Sequence, residues 1–245
     1  MATLAVGRSR RSTESRFFAG MGVAMFAAVF LGFSRSFFLR PWFPDHPAPA
    51  ERLFYVHGAA FTAWVVLLVV QPLLVAAGRT DVHRKLGVAG GVLAAAMVTL
   101  GVVGSLVAAR RATGFVGVPV PALQFLAVPL FDMALFAAFV GLAIAWRRDA
   151  QSHKRLMLLA TVNLLAAGIA RWPFGFVAVG PPAYFGLADL FIVALAAWDL
   201  VSRARLHPAT LWGGAAIVVS QPLRLVVSGT DAWASFARWA VDLLG

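Results

Sequence analysis

Residues 53–77 read LFYVHGAAFTAWVVLLVVQPLLVAA, a run without a single Asp, Glu, Lys or Arg. A helix rising about 1.5 Å per residue needs about 20 apolar residues to cross the hydrocarbon of a bilayer. The run does not alternate between apolar and polar positions, so it reads as helix and not as strand. Inside lipid only a helix or a closed barrel satisfies its own backbone. Comparable stretches lie near 17–39, 86–109, 121–146, 156–173, 183–201 and 209–228. The 245-residue chain as a whole is 61% hydrophobic and only 13% charged. These features predict an all-α fold, a polytopic membrane helix bundle of about seven transmembrane helices. Its principal partner is the lipid bilayer.

The links between the stretches are short. The first carries Pro41, Pro44, Pro47 and Pro49, and the link before the sixth stretch carries Gly180, Pro181 and Pro182. None has room for a soluble domain, so residues 1–245 read as a single integral membrane domain. A basic segment, 1–16, precedes the bundle, 17–228, and a tail, 231–245, follows it. The apolar run from Phe17 exceeds the roughly 7–15 residues of a cleaved signal's apolar region, so it reads as an uncleaved signal anchor.

An odd number of crossings puts the termini on opposite sides. The N-terminal side would hold Arg8, Arg10, Arg11, Arg16, Arg79, Arg84, Lys85, Arg147, Arg148, Lys154, Arg155, Arg203 and Arg205, which is 13 of the 21 Lys and Arg. Arg35, Arg40, Arg52, Arg110, Arg111, Arg171, Arg224 and Arg238 fall elsewhere. Cytoplasmic loops carry the Lys/Arg excess. The expected topology is therefore N-terminus in, C-terminus out, in a bacterial inner membrane. This asymmetry accounts for the net charge of +11. A nucleic-acid partner is excluded, because no basic folded surface remains to bind one.

Several classes drop out. With no cysteine there are no disulfides, thiolate metal sites or cysteine nucleophiles. The only lysines, Lys85 and Lys154, lie in links, so no Schiff base to retinal can form in the last span. No P-loop, GxSxG or HExxH pattern occurs. In the third stretch, Gly87, Gly91 and Ala95 stand at the four-residue spacing of a close helix seam, a spacing that general richness in Gly and Ala would equally produce. In the tail, Trp233, Phe236, Trp239 and Leu243 share one side, as in a short amphipathic helix lying in the interface.

Ionisable groups inside spans are costly, roughly 2.5–3.5 kcal/mol each on insertion scales, and turn toward the bundle interior. His57, Trp64 and Gln71 are seven residues apart and drift by only about 40° in total, so they share one helical face. At the outer end, His57 joins Gln124, Arg171, Asp189, Gln221 and Arg224, with Asp132 deeper. Two readings stay open. One is a structural network in which Arg171 pairs with Asp189, and Arg224 with Asp132 or a helix-end carbonyl. The other is a site for a small anionic or amphipathic ligand, since arginine forks match carboxylate and phosphate. His57, Gln71, Gln124, Arg171, Asp189, Gln221 and Arg224 are its candidate ligand-binding residues.

The inner end collects His83, Arg84, His153, Lys154, Arg155, Asp199, Arg203 and His207, and Gln71 points toward it. Phospholipid headgroups explain such a belt. A single haem b held between His83 and His153 is the sharper alternative, with a proton relay as a third. Zinc needs three or four close ligands; no local spacing supplies them, and no metal site is expected.

Two segments carry a resemblance. One is His57-Gly-Ala-Ala-Phe-Thr-Ala-Trp64, continuing to Gln71 and then His83-Arg84-Lys85-Leu86-Gly87. The other is Arg147-Arg148-Asp149, then His153-Lys154-Arg155-Leu156-Met157, ending at Arg171. Over roughly residues 53–171 this order resembles a family of bacterial multi-pass membrane proteins of unknown function. There a histidine opens one helix, a glutamine closes it, an HRxLG-like step opens the next and an HxxxM-like step a later one. The resemblance implies a polytopic bacterial membrane protein and draws attention to His57, Gln71, His83 and His153. Three functions are then expected to compete: ligand binding or movement at the outer cluster, single-haem redox chemistry, and a structural or assembly role.

Overall fold

The computed structural model of the chain describes residues 2–47, 49 and 51–244. The side chains of residues 1–12, Arg8, Arg10 and Arg11 among them, lie outside the described residues. All regular structure among the described residues is helical: α1 Ala2–Phe33, α2 Arg52–Ala76, α3 Thr80–Arg110, α4 Ala122–Phe125, α5 Ala127–Ala145, α6 Ala150–Val162, α7 Leu165–Ile169, α8 Pro181–Arg203, α9 Pro208–Ser228 and α10 Asp231–Asp242. A π-helical turn, Ser34–Phe38, extends α1. Six segments are long and apolar enough to cross a membrane: Thr13–Phe38, Arg52–Ala76, Thr80–Arg110, Ala122–Ala145, Pro181–Arg203 and Pro208–Ser228. The protein is a multi-pass helical membrane bundle.

Local chemistry sets the helix ends. Asp149 caps α6 by accepting from the Gln151 N–H at 2.9 Å, and Thr230 caps α10 by accepting from the Trp233 N–H at 3.2 Å. Polar side chains at this position satisfy N–H groups that the helix itself leaves unpaired. Gly180, at φ 98°, turns the chain into the Pro181-Pro182 start of α8. A side chain there would be strained, and proline fits the first helical turn.

The expected fifth span, 156–173, is two helices in tandem and not one. At Leu164 the ladder slips, its N–H bonding the Thr161 carbonyl at 3.0 Å. The neighbouring Asn163 side chain reaches across to donate to the Asp132 carbonyl at 2.8 Å. The pair α6–α7 still covers the depth of a crossing. Lys154 forms an ion pair with Glu14 at one end, and at the other the Trp172 indole donates to the Ala28 carbonyl at 2.9 Å. It therefore runs parallel to α1 through the same layer. Against α5 it runs antiparallel, with His153 bonded to the Ala143 carbonyl at 2.8 Å and Asn163 to Asp132 further in. This segment is also the centre of the bundle, because Arg155, Leu156, Leu158, Leu159, Ala160, Thr161 and Val162 are all buried. Walled off from lipid by its neighbours, it tolerates Asn, Thr and Arg that a lipid-facing helix would not.

The main core joins Met25 of α1, Trp64 of α2, Met97 of α3, Phe136 of α5, Leu159 of α6, Leu165 of α7 and Leu195 of α8. By contrast α2 buries only Trp64 and Val65, so most of its surface faces outward. The glycine seam lies elsewhere than expected. A Cβ on Gly87 or Gly91 would meet only ordinary neighbours, at 3.8 and 3.7 Å. The buried line of α3 is instead Gly90, Ala94, Met97, Gly101 and Gly104. A close backbone approach joins α1 to α7, where a Cβ on Gly32 would stand 2.0 Å from the Gly168 carbonyl oxygen.

The tail also departs from the expected single apolar side. Trp233, Ala237 and Ala240 of α10 pack on Leu106, Ala109, Leu126 and Ala127. The Trp233 indole donates to the Leu123 carbonyl at 2.8 Å. Phe236, Trp239 and Leu243 stay exposed. The helix lies across the ends of α3 and α4, with one apolar strip turned in and another turned out.

Candidate functional site

Two buried networks absorb most of the intramembrane charge. Arg155 and Asp199 are both 0% exposed and form an ion pair. Arg155 also donates to the Gln151 carbonyl at 3.0 Å and the Gln151 side-chain oxygen at 2.7 Å. Asp199 accepts from the Thr210 hydroxyl at 2.6 Å and the His207 N–H at 3.1 Å. The network ties α6, α8 and α9 together at the basic end. Thr210 and Gln151 did not stand out in the sequence, since neither is ionisable.

The second network joins α9 to α5. Arg224 pairs with Asp132 and donates to the Ser220 hydroxyl at 2.8 Å and its carbonyl at 3.2 Å. Its guanidinium lies 5.5 Å from the Phe185 ring centre and 5.9 Å from that of Phe131. This is one of the two partners the sequence offered Arg224. The other expected pair, Arg171 with Asp189, does not form. Asp189 accepts from the Gln221 amide at 2.8 Å, between α8 and α9. Arg171 follows α7 on its α1 side, where it donates to the Ala167 carbonyl at 2.5 Å and lies 4.9 Å from the Phe33 ring centre. The two side chains serve opposite flanks of the bundle. Gln124 is half-buried on α4, beneath α10. The outer cluster is thus divided, and Arg224, Asp189 and Gln221 are already satisfied within the protein.

What remains open runs along α2 and α3. Trp64, at the centre of the α2 stripe, is buried and donates to the Thr161 hydroxyl at 2.9 Å. His57 stacks on Phe61 at 4.0 Å between ring centres. Its Nδ1 faces Gly104, 4.0 Å from where a Cβ would stand, and is buried without a hydrogen-bond partner. Among the described residues no carboxylate stands within ion-pair distance of Arg171.

At the other end of α2, Gln71 sits beside the start of α3. Its amide nitrogen is 3.8 Å from the position of a Gly87 Cβ, so it belongs with the inner group and not with His57. The structure brings His83 and His153 together as the sequence led one to expect, with ring centres 6.4 Å apart and planes at 85°. His153 spends Nδ1 on the Ala143 carbonyl, a bond that orients its ring. Gln71 Oε1 and His83 Nδ1 are buried without partners. Among the described residues no group of three or more His, Cys, Asp or Glu gathers to hold a metal ion. The pair offers two imidazole ligands, enough for the axial positions of a haem and too few for zinc.

His207 stands apart from that pair, as the cap of α9. Its Nδ1 accepts from the Ala209 N–H at 3.1 Å. Burial, then the charges of Arg155 and Arg203, hold its pKa below the ordinary value, so it is neutral at pH 7. At the cap of α6 the Ser152 hydroxyl, foremost, holds the Asp149 carboxyl below its usual range.

No family model, curated protein or solved structure matches this chain. The functional reading therefore rests on the residues themselves.

Proposed function

We propose that this multi-pass membrane protein binds a small anionic or amphipathic ligand between His57 and Arg171, at the outer end of the bundle in a bacterial inner membrane. The family resemblance over residues 53–171 is part of the same proposal. The observation that carries it is the state of Arg171. Among the described residues this exposed guanidinium forms no ion pair and has only the Ala167 carbonyl and the face of Phe33. At the same end of the bundle, His57 Nδ1 is buried without a hydrogen-bond partner. A carboxylate or phosphate would complete both groups, since arginine presents a donor fork that matches such anions. Phe33 lies against the guanidinium, and Phe54 and Phe61 lie beside His57, apolar surface that suits a ligand with an apolar part.

A ligand that binds only the folded state raises stability by about 2.7 kcal/mol at a hundred times its dissociation constant. In detergent, decanoate is expected to raise the melting temperature of the wild type. Arg171→Gln should abolish most of that rise while melting close to the wild type without ligand. An undiminished rise in Arg171→Gln would overturn the assignment. Arg224→Gln is not an equivalent probe, because it strands Asp132 and tests the framework.

A further inference from the structure

The turn between α8 and α9 holds a cleft of about 200 Å³ lined by Arg203, Arg205, Leu206, His207 and Pro208. We propose that this cleft is a phosphate-binding site at the basic end of the bundle, taking the phosphate of an anionic lipid headgroup or a free phosphate. It lies at the opposite end from His57 and Arg171 and does not depend on that site.

The argument begins with which charges are already matched. Four carboxylates belong to this end among the described residues, and each is engaged. Glu14 pairs with Lys154, Asp81 with Arg79 at 3.7 Å and Asp199 with Arg155. Asp149 is held at the start of α6 by the Gln151 N–H and the Ser152 hydroxyl. Arg203 and Arg205 form no ion pair among the described residues. Arg203 Nε is moreover buried with no hydrogen-bond partner, an unfavourable state for a donor on a charged group. A donor buried without an acceptor, at the wall of a cleft, marks where an acceptor from outside belongs.

The backbone holds the two arginines on either side of a tight reversal. Ala204 closes α8 in the left-handed conformation, φ 56° and ψ 16°. The following residues lead directly into His207, whose N–H is tied to Asp199. The cleft is therefore framed by the rigid Arg155–Asp199 network and not by a free loop. His207 is neutral and so adds no charge of its own. The favourable field comes from Arg203 and Arg205. Its location at the end of a spanning helix puts it at headgroup level, where basic pockets meet lipid phosphates.

Melting of the detergent-purified protein tests this with three additives: phosphatidylglycerol, phosphatidylcholine at equal concentration, and inorganic phosphate. Phosphatidylglycerol should stabilise the wild type more than phosphatidylcholine does. Arg203→Gln/Arg205→Gln should lose at least half of that difference. If the double variant does not fold, Arg205→Gln alone is read, since its side chain is exposed and has no hydrogen bond or ion pair among the described residues. Arg147→Gln/Arg148→Gln removes the same charge from a nearby exposed loop and should keep the difference. Stabilisation by phosphatidylglycerol alone identifies the lipid headgroup as the source. Stabilisation by inorganic phosphate as well, lost in the same variant, identifies free phosphate. The proposal is overturned if no additive discriminates, if the cleft variants respond as the wild type does, or if the loop variant loses as much as they do.

Discussion

Arg155→Ala is expected to destabilise the folded protein by about 3–5 kcal/mol, the cost typical of breaking a buried ion pair from one side. The reason lies in what is left behind. Asp199 is fully buried, and without the guanidinium its charge would face only the Thr210 hydroxyl and the His207 N–H. Gln151 would lose its own bonds to the arginine at the same time. The paired change Arg155→Met/Asp199→Leu should recover much of the loss, because it removes both charges and keeps apolar volume. Thermal unfolding in detergent measures this. A melting temperature for Arg155→Ala within the scatter of Arg205→Ala would show that the network does not hold α6, α8 and α9 together.

Gly32→Ala should be the next most damaging. Its new methyl group would stand 2.0 Å from the Gly168 carbonyl oxygen and 2.7 Å from its carbon. Both atoms are backbone, so no side-chain rotation relieves the clash and α1 must move off α7. Overpacking of this kind costs about 1–3 kcal/mol. Gly20, on the same helix, has nothing within 4 Å of the equivalent position, and Gly20→Ala should be neutral or slightly stabilising through better helix propensity. Equal melting of the two variants would contradict the close crossing of α1 and α7. The consequence reaches the candidate ligand site, because Trp172 and Arg171 emerge from this crossing against Ala28 and Phe33.

The spans were legible from apolar length alone, because lipid imposes one requirement on every lipid-facing helix. The fifth was legible as a run but not as a break. Its slip at Leu164 depends on Asn163 finding the Asp132 carbonyl, a contact 31 residues away that no local pattern announces. The Arg224–Asp132 pair could be anticipated because each offered the other a partner of opposite charge inside the membrane, although Asp132 lies deeper. The Arg171–Asp189 pair could not be rejected in the same way, because depth says nothing about which flank of the bundle a side chain serves. Rotation about the helix axis is fixed by packing, here by the Gly32–Gly168 approach. Gln71 was grouped with His57 through the α2 stripe, yet a shared face is not a shared site when two residues sit at opposite ends of a span. The Arg155 network escaped notice as a unit because half of its members are uncharged and were unremarkable until folded.

The central claim is that α6 and α7 together carry the chain across the membrane. The absence of native cysteines makes a direct test simple. Arg148→Cys and Ala178→Cys place one exposed thiol before and one after this segment. In intact cells a membrane-impermeant maleimide should label Ala178→Cys at once and Arg148→Cys only after permeabilisation. Labelling of both from the same side would contradict the account, since α6–α7 would then enter the bundle without crossing it.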